Sequence, residues 1–133
     1  MLDTNTLIYF VNRGPHFDRV ARRMSGKSPG ELRMSAITLC ELRFGIAAGA
    51  RTRENEALLE ELVDAVQPED FPAAAARDFG EIKVHLSRRG RPIGPYDLLI
   101  AAHARHLGAT LITNNEREFR RVPGLAVKNW LRS

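Results

Sequence analysis

The run Ala109-Thr110-Leu111-Ile112-Thr113 constrains the fold more than any other stretch of this chain. It is short, apolar and rich in branched side chains, the composition of a strand buried on both faces of a parallel sheet. Gly108 stands just before it, where a helix opened by Gly94-Pro95 needs a glycine to stop. Parallel neighbours cannot be joined by tight hairpins; each requires a crossover, usually a helix. A chain built on such a strand must therefore alternate short strands with amphipathic helices.

The rest of the sequence does so. Met1-Leu2-Asp3 reads as the end of a first strand, and Thr4 and Asn5 then cap a helix through Leu7, Ile8, Phe10 and Val11. That helix is expected to end near Asn12-Arg13-Gly14-Pro15. Phe17, Val20, Ala21 and Met24 keep helical spacing, with Arg19, Arg22 and Arg23 on the other side. After a loop from Ser25 to Gly30, Leu32-Arg33-Met34-Ser35 forms a second strand, and Ser35 caps a helix from Ala36 to about Ala48. Leu58, Leu59, Leu62, Val63 and Val66 make the apolar stripe of a helix with an acidic outer face, and a third strand is expected around Ala65-Val66-Gln67. Ala75, Phe79, Ile82 and Leu86 mark another helix, closed by Arg88-Arg89-Gly90. The chain finishes with the loop Asn114-Asn115, a short helix near Arg117–Arg121, the turn Val122-Pro123-Gly124 and a strand at Leu125-Ala126-Val127. With no hairpin signal, repeat or linker, residues 1–133 are expected to form one α/β domain, a parallel sheet wrapped by helices on both faces.

Sheets of this kind bind ligands in the crevice beyond the carboxyl ends of their strands. Asp3, Ser35 and Thr113-Asn114-Asn115 each follow a predicted strand, and the Asp97 helix begins at the same edge. Asp97 falls in the first helical turn, where free N–H groups and the macrodipole favour an anion; it is either a helix-starting device or a ligand. Asp3, taken alone, reads as a helix-capping residue before it reads as a ligand. Glu41 is more pointed. It lies in Ile37-Thr38-Leu39-Cys40-Glu41-Leu42-Arg43-Phe44, apolar on most sides, with Arg43 nearly opposite, and a carboxylate there needs a partner. In the last loop Glu116 and Glu118 are both candidates, while Asn114 and Asn115 are ordinary turn formers. Convergent carboxylates raise one another's pKa values, and a hard divalent cation such as Mg²⁺ or Mn²⁺ reverses that repulsion. Such a site activates water, and phosphodiester hydrolysis uses these parts most directly.

Composition narrows the field. The formal charge is +4, and lysine occurs only at 27, 83 and 128, so arginine carries nearly all the positive charge. Arginine binds phosphate bidentately and stacks on bases, which suits a nucleic-acid partner; well-solvated helix faces explain a modest charge equally well. No apolar run reaches the ~20 residues of a membrane span, and Asp3 and Asn5 stand where a signal peptide needs basic residues. The lone Cys40 excludes an internal disulfide and a thiolate zinc site, and it fits a reducing cytoplasm. His16, His85, His103 and His106 show no metal-binding spacing, and there is no glycine-rich phosphate loop or nucleophile elbow.

Four segments in order, Met1-Leu2-Asp3-Thr4-Asn5, Ser35 to Leu42, Gly94-Pro95-Tyr96-Asp97 with Ile100-Ala101-Ala102-His103-Ala104, and Thr113-Asn114-Asn115 with Arg117-Glu118-Phe119, resemble the PIN-domain family. In particular they resemble its VapC-type toxins from bacterial toxin–antitoxin pairs. Val122-Pro123-Gly124-Leu125 and Trp130 fit the same group. The resemblance implies a PIN-like three-layer fold and a Mg²⁺- or Mn²⁺-dependent endoribonuclease. Asp3, Glu41 and Asp97 match the family's metal-binding acids, with Asp3 and Asp97 the direct Mg²⁺ ligands. Glu118 matches the acid after the Thr-Asn-Asn segment and is preferred to Glu116, whereas many family members have Asp at the position of Asn115. Structured RNA such as tRNA is the implied substrate. Also implied are a homodimer and a small VapB-like antitoxin whose tail enters the active-site groove and which alone contacts promoter DNA. Two rivals remain. One is a catalytically silent PIN-like RNA-binding or scaffold protein. The other is a phosphorylatable signalling module, which would need Asp64 or Asp70 as its acceptor.

Overall fold

Met1-Leu2-Asp3 occupies the middle of the sheet. The computed structural model describes residues 1–11, 17–28 and 30–131, with helices α1 (Thr4–Val11), α2 (Phe17–Ser25), α3 (Ala36–Ala48), α4 (Thr52–Ala65), α5 (Ala75–Arg88), α6 (Pro95–Leu107) and α7 (Glu116–Phe119). Its strands are β1 (Arg33–Ser35), β2 (Gln67–Glu69), β3 (Thr110–Ile112) and β4 (Ala126–Lys128). β1 pairs with β2 and β3 with β4, both in parallel. Leu2 joins the two pairs: its N–H donates to the Arg33 carbonyl at 2.8 Å, and it bridges Ile112 in parallel. The order across the sheet is thus β2, β1, the N-terminal segment, β3, β4. The chain builds outward on one side and then crosses back, so a topological switch point lies between Asp3 and β3.

Alternation along the strands makes both faces of the sheet apolar. Leu2 and Ile112 point into one core with Leu7, Leu42, Leu59 and Leu62, under α1 to α4. Met1 and Leu111 point into a second core with Ile82, Leu86, Ile100 and Phe119, under α5 to α7. This is the expected three-layer arrangement. Ser35 caps α3, its hydroxyl accepting the Ile37 N–H at 3.1 Å, and α6 runs from Pro95 at its first turn to Gly108 at φ 64°. No helix among the described residues is long and apolar enough to cross a membrane.

Several local expectations shift. Thr4 and Asn5 do not cap α1; Thr4 is already helical, and the Asp3 carboxylate takes its N–H. The third strand is Gln67–Glu69, because α4 continues through Ala65 and Val66 ends it. α7 starts at Glu116, earlier than expected, and the last strand is one residue later, at Ala126–Lys128. The expected end of the first helix near Asn12–Pro15, and His16, lie outside the described residues. β2 is an edge strand and Asp64 and Asp70 are exposed, so the signalling-module rival lacks a central acceptor.

Candidate active site

The sheet places Asp3 and Thr113 side by side at the carboxyl edge, on either side of the switch point. Asp3 follows the central segment and Thr113 follows β3; the Asp3 N–H donates to the Ile112 carbonyl at 2.8 Å, which fixes the register. Asp3 is 1% exposed, yet it has no cationic partner among the described residues. One of its oxygens accepts the Thr4 N–H at 2.8 Å and the other the Thr113 hydroxyl at 2.8 Å. Burial pushes its pKa up to about 6; these two hydrogen bonds oppose the shift and the charge of Glu41 adds to it.

Hydroxyl groups carry the arrangement outward to the other acids. The Thr4 hydroxyl lies 2.7 Å from Glu41 Oε1 and 3.1 Å from the Thr38 hydroxyl. Thr38 and Glu41 are three residues apart on α3 and so share a face. This supplies the partner that Glu41 needs; Arg43 instead pairs with Glu56 on α4. On the far side Thr113 Oγ1 accepts the Asn115 N–H at 2.9 Å, and the Asn115 amide donates to Glu118 Oε2 at 3.0 Å. Glu116 is engaged elsewhere, by Arg120 and Asn129. Of the two candidates in the last loop, Glu118 therefore belongs to the chain of contacts that reaches Asp3.

Asp97 enters from the opposite layer. It is the third residue of α6, partly buried, and its carboxylate turns back towards the helix start, since a Cβ on Gly94 would lie 3.9 Å from Asp97 Oδ2. Its pKa is raised to about 6, first by burial and then by the charges of Asp3, Glu118 and Glu41. Asp97 thus feels Asp3, Glu118 and Glu41 across the strand ends and Asp3 feels Glu41, and among the described residues no arginine or lysine is among the charges acting on Asp3 or Asp97. The hydroxyls of Thr4, Thr38 and Thr113, all buried, are functional groups the sequence reading did not single out. Each threonine flanks a strand end or sits one turn from an acid, a position that in sequence reads equally as a helix cap.

The donor set is all oxygen, negatively charged and short of cations, which fits a hard divalent cation. Among the described residues no three Asp, Glu, His or Cys side chains close into a ready-made cage. Mg²⁺ does not need one, because it keeps several waters and uses one or two carboxylates. His103 lies beneath the site, fully buried. Its Nδ1 is 2.8 Å from Ser35 Oγ, its ring meets Phe71 edge-on at 5.3 Å, and its Nε2 has no hydrogen-bond partner among the described residues.

Comparison with known proteins identifies the family. Residues 1–125 match the PIN domain family model. A tRNA(fMet)-specific endonuclease VapC from Shigella flexneri is 39% identical over 130 residues, covering 98% of this chain and 96% of the relative. The ribonuclease VapC2 of Rickettsia felis is 35% identical over 98% of this chain and 96% of its own. Among solved structures, VapBC-1 from nontypeable Haemophilus influenzae superposes with a TM-score of 0.88 at 36% identity, over 98% of this chain and 96% of that one. The fold, the order of the motifs and the placement of Asp3, Glu41 and Asp97 at one strand-end edge converge on one statement: the chain belongs to the PIN-domain family, within its VapC ribonuclease group.

Proposed function

We propose that this protein is the toxin of a type II toxin–antitoxin pair and hydrolyses RNA phosphodiesters at the Asp3–Asp97 pocket with Mg²⁺ bound. The observation that carries the reading is the pair of buried or half-buried carboxylates gathered at one strand-end edge, where among the described residues the charges acting on them are acids and no cation, so that both are raised to about 6. Asp3 and Asp97 hold the ion, and Mn²⁺ can replace Mg²⁺ on the same oxygen donors. When bound, the ion supplies charge neutralisation and an activated water. The residues of the chain do the rest. Thr4 and Thr113 fix the Asp3 carboxylate and so set the ligand direction. Glu41, held by the Thr4 hydroxyl, and Glu118, held by the Asn115 amide, complete the pocket as water-binding acids and proton acceptors. Intact acids with no compensating cation among the described residues favour this over a silent scaffold.

The tRNA(fMet)-specific name of the Shigella relative makes that tRNA the first substrate to try. VapBC2 from Rickettsia felis is solved bound to a DNA fragment from its promoter, and VapBC from Salmonella typhimurium is solved bound to DNA. By extension we assign this chain a VapB-like antitoxin that contacts its promoter, a homodimeric state, and a cytoplasmic site of action where exposed Cys40 stays reduced. The test is cleavage of tRNA(fMet) and total RNA with Mg²⁺, with EDTA, and with Asp97→Asn, alongside calorimetric titration of Mn²⁺ into both proteins. Cleavage by wild type, lost with EDTA and in Asp97→Asn together with Mn²⁺ binding, is the expected result. Undiminished cleavage in EDTA or by Asp97→Asn refutes the metal assignment.

A further inference from the structure

The face of α6 that includes Tyr96 changes character along its length. Tyr96, Ile100, His103 and Leu107 are spaced by four, three and four residues and therefore line one stripe. Its middle is sealed, with Ile100 and His103 both 0% exposed. His103 lies against Ser35, the last residue of β1, at 2.8 Å from its hydroxyl, so this stripe faces the β1–α3 junction at the level of the strand end. Tyr96 is seven residues earlier, about 10 Å further along the helix axis at 1.5 Å per residue. The stripe has by then passed the carboxyl edge of the sheet, and Tyr96 is 60% exposed. Helical side chains lean towards the N-terminus, which carries the ring further out over the edge where the acids lie. Tyr96 makes no hydrogen bond, ion pair or ring contact with the described residues. Its backbone is nonetheless fixed: Pro95 precedes it at the first turn of α6, and Asp97 follows it.

We infer that Tyr96 is a nucleobase platform, stacking on an unpaired base of the RNA next to the phosphodiester held at Asp97. This rests on the nuclease reading of the acid pocket. A large aromatic ring left in water beside that pocket, on a rigid element, is the device by which proteins grip single-stranded RNA. The ring binds ground state and transition state alike, so it acts on KM and leaves kcat alone. It is a binding residue for substrate.

The experiment measures kcat and KM for tRNA(fMet) cleavage, and the Kd for the same fluorescently labelled tRNA in EDTA by anisotropy, for wild type, Tyr96→Phe, Tyr96→Leu and Tyr96→Ala. Tyr96→Ala should raise KM and Kd by roughly 10- to 100-fold with kcat within about twofold. Tyr96→Phe should match wild type, and Tyr96→Leu should resemble Ala, because bulk without a π-face does not stack. Unchanged KM and Kd in Tyr96→Ala overturn the inference and leave the exposed ring to a protein partner. Full binding by Tyr96→Leu overturns stacking. Failure of the nuclease reading looks different: wild type then cleaves nothing, while the EDTA anisotropy series still reports whether Tyr96 touches RNA.

Discussion

The two ends of α6 hold the same kinds of side chain in opposite electrostatic states. At its N-terminus Asp97 faces Asp3, Glu118 and Glu41 with no cation among the described residues, and its pKa is raised to about 6, first by burial and then by those charges. At its C-terminal end Arg105 donates to Asp78 at 2.8 Å, to Glu81 at 2.6 Å and to the Pro123 carbonyl, while His106 lies 3.2 Å from the other oxygen of Asp78. Burial alone would raise Asp78, but the hydrogen bonds and charges of Arg105 and His106 outweigh it and hold the carboxyl below its ordinary value. One cluster is complete in itself and ties α5, α6 and the turn before β4 together. The other is complete only with something positive added. A carboxylate is therefore diagnostic of function here through what it lacks, and charge counting along the sequence cannot supply that distinction.

The largest effect should come from removing the acid. Asp97→Asn should lower RNA cleavage by roughly a thousandfold or more, since it removes a group acting in concert with the others. In EDTA the same variant should melt at a higher temperature than wild type, because three repelling carboxylates lose their fourth. Equal melting temperatures would show the pocket to be internally compensated after all. The hydroxyl supports come next. Thr113→Val and Thr4→Val each leave an Asp3 or Glu41 oxygen unheld, and should weaken Mn²⁺ binding or turnover by roughly 10- to 100-fold, as losing a group that orients a ligating carboxylate does. Thr113→Ser, which keeps the hydroxyl, should restore most of it.

Much of this was legible before any coordinates. Ala109–Thr113 dictated a parallel sheet, and the rule that such sheets bind at their carboxyl edges brought Asp3, Glu41 and Asp97 together from positions far apart in the chain. Glu41 could be flagged because its neighbours on α3 are apolar. The threonines could not, since a hydroxyl looks the same in sequence whether it caps a helix or steers a carboxylate. Thr4 is the instructive case: read as a cap, it is instead the joint between Asp3 and Glu41. The choice of Glu118 over Glu116 rested on resemblance; the Asn115 amide gives it a physical reason. Likewise the Asp78–Arg105 cluster joins two helices whose pairing periodicity does not predict.

A smaller change tests the other half of the comparison. Arg105→Ala strips three acceptors of a largely buried guanidinium and should cost about 2 kcal/mol of stability in urea unfolding, while leaving kcat and Mn²⁺ affinity at wild-type values. Loss of metal binding in this variant would mean that the two ends of α6 are coupled.

The smallest effect is a slope, and its sign separates the two clusters. The folded, metal-free protein binds protons at Asp3 and Asp97 up to about pH 6, whereas the unfolded chain releases them near 3.8. Where the folded state holds more protons, stability falls as pH rises, so the acid pocket should make the protein lose stability between about pH 4 and pH 6. Asp78 has the opposite sign: its folded value lies below 3.8, so its contribution is intact above 3.8 and disappears as pH falls through that lower value. Melting temperatures in EDTA across this range should therefore decline with rising pH, and in an Asp3→Asn/Asp97→Asn double variant the decline should give way to a slight rise, because burial lowers the His103 pKa and the folded state then holds fewer protons there than the unfolded chain. Saturating Mg²⁺ should reverse the slope, because an ion binds the ionised acids and stabilises the fold most where they are deprotonated. A decline that persists in the double variant would place the uncompensated acids somewhere other than the strand-end edge.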